Sequence, residues 1–323
     1  MEGATTRYAA RRLMQAIPTV FGATLLGFAL IHLAPGDPIR FFAGNAGSLP
    51  PDELERLRHL YGLDQPMPQQ YLAWLAQLAR FDFGTSFTSH QPVLRLILER
   101  LPATLTLALT ALALGTALGV LAGVLPGLRP GGAADAITRV VAVLGNAVPA
   151  FWFGLIFILA FSVSWHVFPS GGMTTIGRAG FDPLDRLWHL IPPALVLSLH
   201  GIAEISRFVR TQTLEVVRQD YVRTAHAKGL GAGVIARRHV LRNALMPLVT
   251  ILGGSLPTLF AGAVVVESVF SWPGMGRMAV DAAFALDYPV LMGLLLLLSV
   301  FVVIGNLLSD LAYGVVDPRI KLA

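Results

Sequence analysis

Six predominantly apolar stretches, each about 20 residues long, constrain the fold of this chain more than any other feature. A helix needs about 20 residues to cross roughly 30 Å of hydrocarbon, because each residue adds about 1.5 Å. The proline and glycine residues inside the stretches are tolerated in membrane helices. The pattern predicts an all-α polytopic membrane protein with six transmembrane helices, at Leu13–Leu33, Ala103–Leu125, Val140–Val163, Leu190–Phe208, Ala244–Val266 and Val290–Tyr313.

The overall composition indicates that part of the protein surface faces lipid rather than water. Charged residues make up 13% of the 323 residues and apolar residues 54%, whereas soluble domains carry about 25% charged residues. So little charge argues against a soluble enzyme, a secreted disulfide scaffold and a disordered chain. The absence of cysteine excludes thiol nucleophiles and cysteine-ligated metal sites. No cleavage site of the small-x-small kind follows the first stretch at a convincing position, so we interpret it as a retained span.

Lysine and arginine are distributed unevenly between the segments that connect the spans. With the N-terminus inside, 15 basic residues fall on inside segments and 3 in the two short outside loops. Long loops cross largely regardless of charge, so the long outside loop is not counted, and both termini are predicted to be cytoplasmic. The predicted parts are a tail with the first span (1–34), an extracytoplasmic loop (35–101), a transmembrane core (102–313) and a cytoplasmic tail (314–323).

Two connecting segments are too long to be simple connectors. The outside segment 35–101 contains two amphipathic helical patterns, beginning near Pro51 and Gln70. They predict helices that lie on the membrane or on the spans, or else a docking platform for an outside partner. The inside segment 207–243 is basic and helical in pattern, and a glycine cluster at 228–233 breaks it. It predicts a helix–turn–helix protrusion, or else a basic surface held near anionic lipid.

Sequence motifs for catalysis and nucleotide binding are absent. A Walker A motif is excluded because the only lysines precede Gly229 and Leu322, and no His-Glu-x-x-His or Gly-x-Ser-x-Gly occurs. We therefore expect no catalytic site, no metal site and no cofactor. A nucleic-acid partner is not expected either, because the basic surplus is assigned to one side of a membrane.

Ionisable groups near the spans are few. Glu204, Glu267 and Asp310 are interpreted as helix-end groups rather than a proton relay, with Arg207 placed to pair with Glu204. His200, at mid-span, is the one such group that invites a functional role. With so few groups, we expect the energy for any uphill transport to come from a partner.

The segment Gln219–Leu230 resembles the cytoplasmic coupling loop of ABC importer permeases. The resemblance runs nearly end to end and indicates the B-type permease subunit of dipeptide, oligopeptide and nickel uptake systems. Nine blocks in the family's order carry it, at 34–38, 61–66, 81–86, 100–105, 219–230, 242–247, 264–276, 287–289 and 317–320.

This resemblance implies a type I ABC importer permease fold in the bacterial inner membrane. It further implies a second permease of the C type, two cytoplasmic ATPase subunits and an extracytoplasmic substrate-binding protein as partners. In that family the coupling loop inserts a short helix into a cleft of the ATPase. The residues that match the coupling segment or fall within it are Asp220, Tyr221, Arg223, Ala225, His226, Lys228 and Gly229.

Two positions of the coupling segment depart from the general importer pattern. Arg223 replaces the acidic residue of the importer signature, as is usual in the peptide branch. His226 stands where arginine is expected, and histidine changes its charge within the physiological pH range. If this position contacts the ATPase, coupling is expected to depend on pH; the alternative is an exposed position that tolerates change.

The outside connection after the fifth span contains a Trp-Pro-Gly turn. Glu267, Trp272, Pro273 and Gly274 form either an outer gate or a contact for the binding protein, or else a turn at the membrane interface. Peptides are the expected cargo, and nickel or another small solute on the same fold is the alternative. A self-powered secondary carrier is a rival from another class, distinguished by transport without ATPase subunits.

Overall fold

The computed structural model describes residues 2–39, 50–177 and 180–316. These residues form twelve helical elements that we number in chain order. They are α1 (Glu2–Leu33), α2 (Pro51–Leu60), α3 (Met67–Leu78), α4 (Val93–Leu128), α5 (Ala133–Ala147), α6 (Ala150–Phe157, continuing as the π-helix Ile158–Ser164), α7 (Pro183–Val217), α8 (Asp220–Ala227), α9 (Ala232–Val234, continuing as the π-helix Ile235–Leu241 and as Arg242–Ala244), α10 (Leu248–Val269), α11 (Met275–Phe284) and α12 (Tyr288–Val316).

Three of the described helices are long and apolar enough to cross a membrane, over Met14–Leu33, Val93–Leu128 and Tyr288–Leu307. The pair formed by α5 and α6 with its π-helix is a fourth if it is one broken span. The stretches predicted as the fourth and fifth spans lie in α7 and α10. Of these, α10 contributes only a shorter apolar segment, Pro257–Val269. The all-helical membrane class is thus confirmed, whereas the number of six spans stays a prediction.

The stretch predicted as the third span, Val140–Val163, is not one straight helix. The chain bends by 109° between α5 and α6. Val148 is extended, with φ −91° and ψ 123°, because a residue before proline is disfavoured in the helical region. Pro149 then begins the next helical segment without an N–H to donate to the preceding turn.

The described chain divides into two compact units, of which the first comprises residues 2–39, 50–104 and 273–304. Its larger core joins the start of α4 to α11 and α12 through Val93, Ile97, Met275, Ala282, Val290 and Leu294. In a second core, Tyr71 of α3 packs with Phe28 and Met292. The Tyr71 hydroxyl also lies 3.0 Å from the Thr24 hydroxyl of α1. The amphipathic helix predicted near Gln70 therefore packs on a membrane-length helix.

The second unit comprises residues 105–177, 180–272 and 305–316, and a ladder of glycines on α4 organises it. Gly115, Gly119, Gly123 and Gly127 recur every fourth residue, so they share one face of the helix. A Cβ atom added at Gly123 would lie 2.6 Å from the carbonyl oxygen of Ser206, and one at Gly127 would lie 2.5 Å from Cβ of Thr213. The backbone of α4 therefore lies directly against α7, as small-xxx-small patterns allow in membrane helices.

An ion pair joins the start of α5 to the C-terminal part of α7. Arg210 donates from Nε to Asp135 Oδ1 at 2.6 Å and from Nη2 to Asp135 Oδ2 at 3.2 Å. The Asp135 carboxylate is almost fully buried, at 1% exposure, and also accepts the Gly131 N–H. A bidentate pair of this kind sets the orientation of two helices as well as their distance.

Candidate functional site

The predicted coupling segment forms a short helix with a defined end. α8 runs from Asp220 to Ala227, and Gly229 follows it with φ +73°. The Leu230 N–H donates to the Ala225 carbonyl at 3.3 Å and the Gly229 N–H to the His226 carbonyl at 2.9 Å. These two bonds form a Schellman motif, which requires a left-handed residue at the glycine position. The predicted reversal at 228–233 is thus present.

The glycine cluster does not act as a unit in this reversal. Gly229 has a positive φ, whereas Gly231 has φ −60° and precedes α9 as its N-cap. Gly233 lies inside the first turn of α9. Of the three glycines, Gly229 thus provides the left-handed backbone that the cluster was predicted to permit.

A small hydrophobic core supports the loop from within. Val222 and Ala225 of α8 are buried against Ile235 and Val240 of α9. Leu128 at the end of α4 and Val216 and Val217 at the end of α7 pack on the same cluster. The loop is thus a packed helix–turn–helix that contacts the ends of two long helices.

The other residues predicted for coupling lie on the exposed face of this helix–turn–helix. Asp220, Tyr221, Arg223, His226, Lys228 and Gly229 are exposed, whereas Ala225 belongs to the core. Asn243 donates to the Tyr221 hydroxyl at 3.1 Å, which holds the ring against α9. Arg223 and Asp220 approach to 3.4 Å in a pair so exposed that it contributes little stability. The exposed face is basic and aromatic, and it is available to a partner.

Replacing Gly229 by alanine is expected to destabilise the coupling loop by about 1–2 kcal/mol, since the left-handed conformation costs that much for a residue with a Cβ. The space around Gly229 is open, so backbone strain rather than a clash causes the loss. Gly233→Ala is the matched control, because it adds the same atom in a helix and in equally open space. Hydrogen exchange of the α8 amides measures the difference; equal exchange in the two variants would contradict the assigned turn.

Two of the predicted gate residues are buried rather than exposed. Glu267 and Trp272 are buried, at 0% and 1% exposure, and the Trp272 N–H donates to the Glu267 carbonyl at 2.8 Å. The protein therefore covers Trp272, and its part in an outer gate, a binding-protein contact or an interfacial turn stays a prediction. Pro273 and Gly274 belong to the first unit, where Gly274 precedes α11 as its N-cap.

Two blocks of the family pattern meet at a buried carboxylate in the first unit. Asp287, at 1% exposure, accepts bonds from the hydroxyls of Ser86 and Thr88, at 2.6 and 2.8 Å. It also accepts from the backbone N–H groups of Phe87 and Thr88, at 3.1 and 3.3 Å. We call this group the Asp287 clasp. Four donors compensate the buried charge, and the clasp fixes the loop 86–88 to the start of α12.

A polar cavity of about 720 Å³ lies beside α1, α2 and α3 in the first unit, lined in part by His32, Asp37, Arg58 and Gln70. Arg58 pairs with Asp37, which belongs to the block 34–38. At the rim, the ring of His59 lies 2.8 Å from Asp64, and this hydrogen bond holds the pKa of the Asp64 carboxyl below its ordinary value. The segment predicted to be extracytoplasmic therefore contacts α1 through polar groups as well as through its apolar face.

The second unit encloses a cavity of about 640 Å³ between α4, α5, α6, α7 and α10. Most of its lining is apolar, and His200 and Glu204 from one face of α7 contribute polar groups. The expected pairing of Glu204 with Arg207 is wrong: within the described ranges the Glu204 carboxylate forms no ion pair. Sequence reasoning identified both residues but not the cavity, for which their spacing of four on an apolar helix was the available signal.

A helical chain with membrane-length apolar helices, a solute-sized cavity and a packed basic helix–turn–helix has the properties of a membrane transport subunit. The family model described as "Binding-protein-dependent transport system inner membrane component" matches residues 115–322, and the corresponding N-terminal model matches residues 5–108. The chain belongs to this family. It is the permease subunit of an ABC importer and a protein of the inner membrane, as its resemblance predicted.

Relatives with curated names extend over almost the whole chain. The oligopeptide transport system permease protein AppB of Bacillus subtilis (strain 168) is 42% identical over 315 residues, covering 97% of this chain and 99% of that one. The di/tripeptide transport system permease protein DppB of Pseudomonas aeruginosa (strain UCBPP-PA14) is 42% identical over 331 residues, covering 97% and 98%. Among solved structures, an amino acid ABC transporter with histidines is similar, at a TM-score of 0.49 and 14% identity, covering 70% of this chain and 94% of that one.

Proposed function

We propose that this chain forms, with a second permease, the path by which di- and oligopeptides enter the cell, and that the loop 219–233 couples this path to two cytoplasmic ATPase subunits. The named relatives, which are oligopeptide and di/tripeptide transport permeases, support the cargo. The separately packed coupling loop is the observation that carries the mechanism. An extracytoplasmic substrate-binding protein delivers the cargo, and both termini and the loop face the cytoplasm in a six-span topology.

Coupling follows from the way the loop is attached. Closure of the ATPase dimer pushes on the exposed face of α8, and the core around Val222 and Ala225 transmits the push to the ends of α4 and α7. A flexible loop would absorb the displacement in conformational entropy, whereas a packed one passes it on. Alternating access is largely rigid-body rocking of the spans. A stiff coupling loop can drive such a motion, because it moves the spans together.

The outside turn has a narrower role in this proposal than in the sequence interpretation. With Glu267 and Trp272 buried, the turn acts as a structural stop at the outer end of α10. Pro273 and Gly274 are the part of the turn we assign to an outer gate or to contact with the binding protein.

Reversing one charge on the exposed face tests the coupling role. Lys228 directly follows α8 and Arg129 directly follows α4, and both are exposed basic residues at helix C-termini. In the reconstituted complex, Lys228→Glu is expected to lower ATP hydrolysis stimulated by the loaded binding protein at least about tenfold, since a reversed charge at an interface costs several kcal/mol. Arg129→Glu makes the same charge reversal at the C-terminus of a different helix, α4, and is expected to retain hydrolysis.

The outcomes of this experiment separate the rival functions. Equal hydrolysis in the two variants would remove α8 from the ATPase contact. Uptake of Ni²⁺ but not of Ala-Ala-Ala by the wild-type complex would show that the cargo is nickel rather than a peptide. Transport by the chain in liposomes without ATPase subunits, driven by an ion gradient, would instead indicate a secondary carrier.

A further inference from the structure

The cavity in the second unit lies beside the break between α5 and α6. Asn146, Val148 and Ala150 line it, and they flank the 109° bend. Pro149 has no N–H, so the carbonyl oxygen of Gly145 lacks the donor that a continuous helix would supply. Interrupted membrane helices present such backbone carbonyls to a bound solute, and the volume of about 640 Å³ is within the range of small-ligand pockets.

A single carboxylate faces this cavity. Glu204 is the only acidic residue among the lining residues that the structure describes, and these include no lysine or arginine. Its carboxylate has no hydrogen bond or ion pair within residues 2–39, 50–177 and 180–316. On a largely apolar wall, a carboxylate without a protein partner is best complemented by a cationic ligand.

Other polar groups line the cavity near Glu204. It lies one helical turn after His200 on the cavity side of α7, and Ser255 and Thr258 of α10 also line the cavity. The Asn146 amide donates to the Ala142 carbonyl at 2.8 Å, which leaves the amide oxygen as an acceptor near the break. The described polar lining thus offers mainly acceptors, as a ligand rich in N–H groups requires, while the apolar lining suits uncharged side chains.

We propose that Glu204 binds the protonated amino group of the cargo inside the permease, with the carbonyl groups at the α5–α6 break accepting the N–H groups of its backbone. A peptide carries both groups within a few ångströms of each other. The inference rests on the proposed peptide cargo and adds a recognition site within the transmembrane part. The ammonium group comes either from the peptide N-terminus or from a lysine side chain, and the test distinguishes these sources.

The test measures binding and uptake in the complete complex. Calorimetric titration in nanodiscs without the binding protein compares Ala-Ala-Ala, propionyl-Ala-Ala, which lacks the amino group, and propionyl-Lys-Ala, which carries it on a side chain. Wild type is expected to bind Ala-Ala-Ala at least about tenfold more tightly than propionyl-Ala-Ala, as an ion-paired hydrogen bond warrants. Glu204→Gln, which keeps the shape of the side chain, is expected to abolish this difference, and Glu204→Asp to restore part of it.

A matched variant and a second readout separate this site from other causes. Glu99→Gln removes an exposed glutamate of α4 that pairs with Arg95, and it is expected to leave the preference unchanged. Stimulated ATP hydrolysis reports that each variant assembles. Tighter binding of propionyl-Lys-Ala than of propionyl-Ala-Ala assigns the site to any ammonium group, and equal binding assigns it to the N-terminus.

Three binding results would overturn the inference. They are equal affinity of wild type for Ala-Ala-Ala and propionyl-Ala-Ala, no measurable binding of either, and a preference that survives in Glu204→Gln. If the wild-type complex takes up no peptide from its binding protein, the proposed function itself fails. If it takes up Ala-Ala-Ala at the same rate with glutamine at 204, only the recognition site fails.

Discussion

Replacing Gly123 by leucine is expected to prevent stable assembly of the second unit, and the smaller change to alanine to cost about 1–3 kcal/mol, the usual range for overpacking. An added Cβ would lie 2.6 Å from the carbonyl oxygen of Ser206, 2.8 Å from Cβ of Val209 and 3.1 Å from the Arg210 nitrogen. Two of these neighbours are backbone atoms, which cannot rotate away. α4 and α7 must therefore separate, and the contacts of the whole glycine ladder weaken with them.

The ladder offers its own graded series for this prediction. At Gly115 the nearest atom to an added Cβ is 3.4 Å away, so alanine there is expected to have a much smaller effect than at Gly123. Gly254 of α10 has no atom within 4 Å, and Gly254→Ala is expected to be neutral or slightly stabilising. Thermal unfolding of the purified protein in detergent measures all three. Equal midpoints for the alanine variants at 123 and 254 would show that the helices are not in contact there.

Removing the carboxylate at Asp287 is expected to be the most damaging single change in the first unit. Asp287→Ala leaves the N–H groups of Phe87 and Thr88 and two hydroxyls without their acceptor in a buried site. Each unsatisfied buried donor costs about 1–3 kcal/mol, and the hydroxyls recover part of this by turning to other partners. We therefore expect a loss of at least about 3 kcal/mol in the free energy of unfolding.

Asp287→Asn and Asp281→Asn complete this experiment. Asparagine at 287 keeps one acceptor oxygen but presents an NH₂ group to donors, so an intermediate loss is expected. Asp281 is exposed and lies 3.8 Å from Arg277, in a surface pair worth about 0–1 kcal/mol. Chemical denaturation gives the free energies, and limited proteolysis reports release of the loop 86–88. Protection of that loop in Asp287→Ala would contradict the clasp.

The sequence predicted what depends on local composition and spacing. The lengths of the apolar stretches were sufficient for the membrane class, and the motif blocks were sufficient for the family, which the comparisons confirm. The coupling reversal was also predictable, because Gly229 follows a short helical pattern and a glycine tolerates the left-handed conformation that ends it. The spacing of the four glycines in α4 is visible in the sequence, but the close approach of α4 to α7 was not predicted from it. The block at 317–320 lies outside the described residues.

The sequence by itself thus determined that the protein lies in a lipid membrane and where its backbone turns. Both properties follow from residues that are near one another in the chain. The tertiary structure alone decided which polar groups are satisfied. Asp287 meets donors some 200 positions away, Trp272 is covered rather than exposed, and Glu204 faces a cavity instead of Arg207. Each outcome depends on which helix faces pack together, and packing is a property of neighbours that no local pattern specifies.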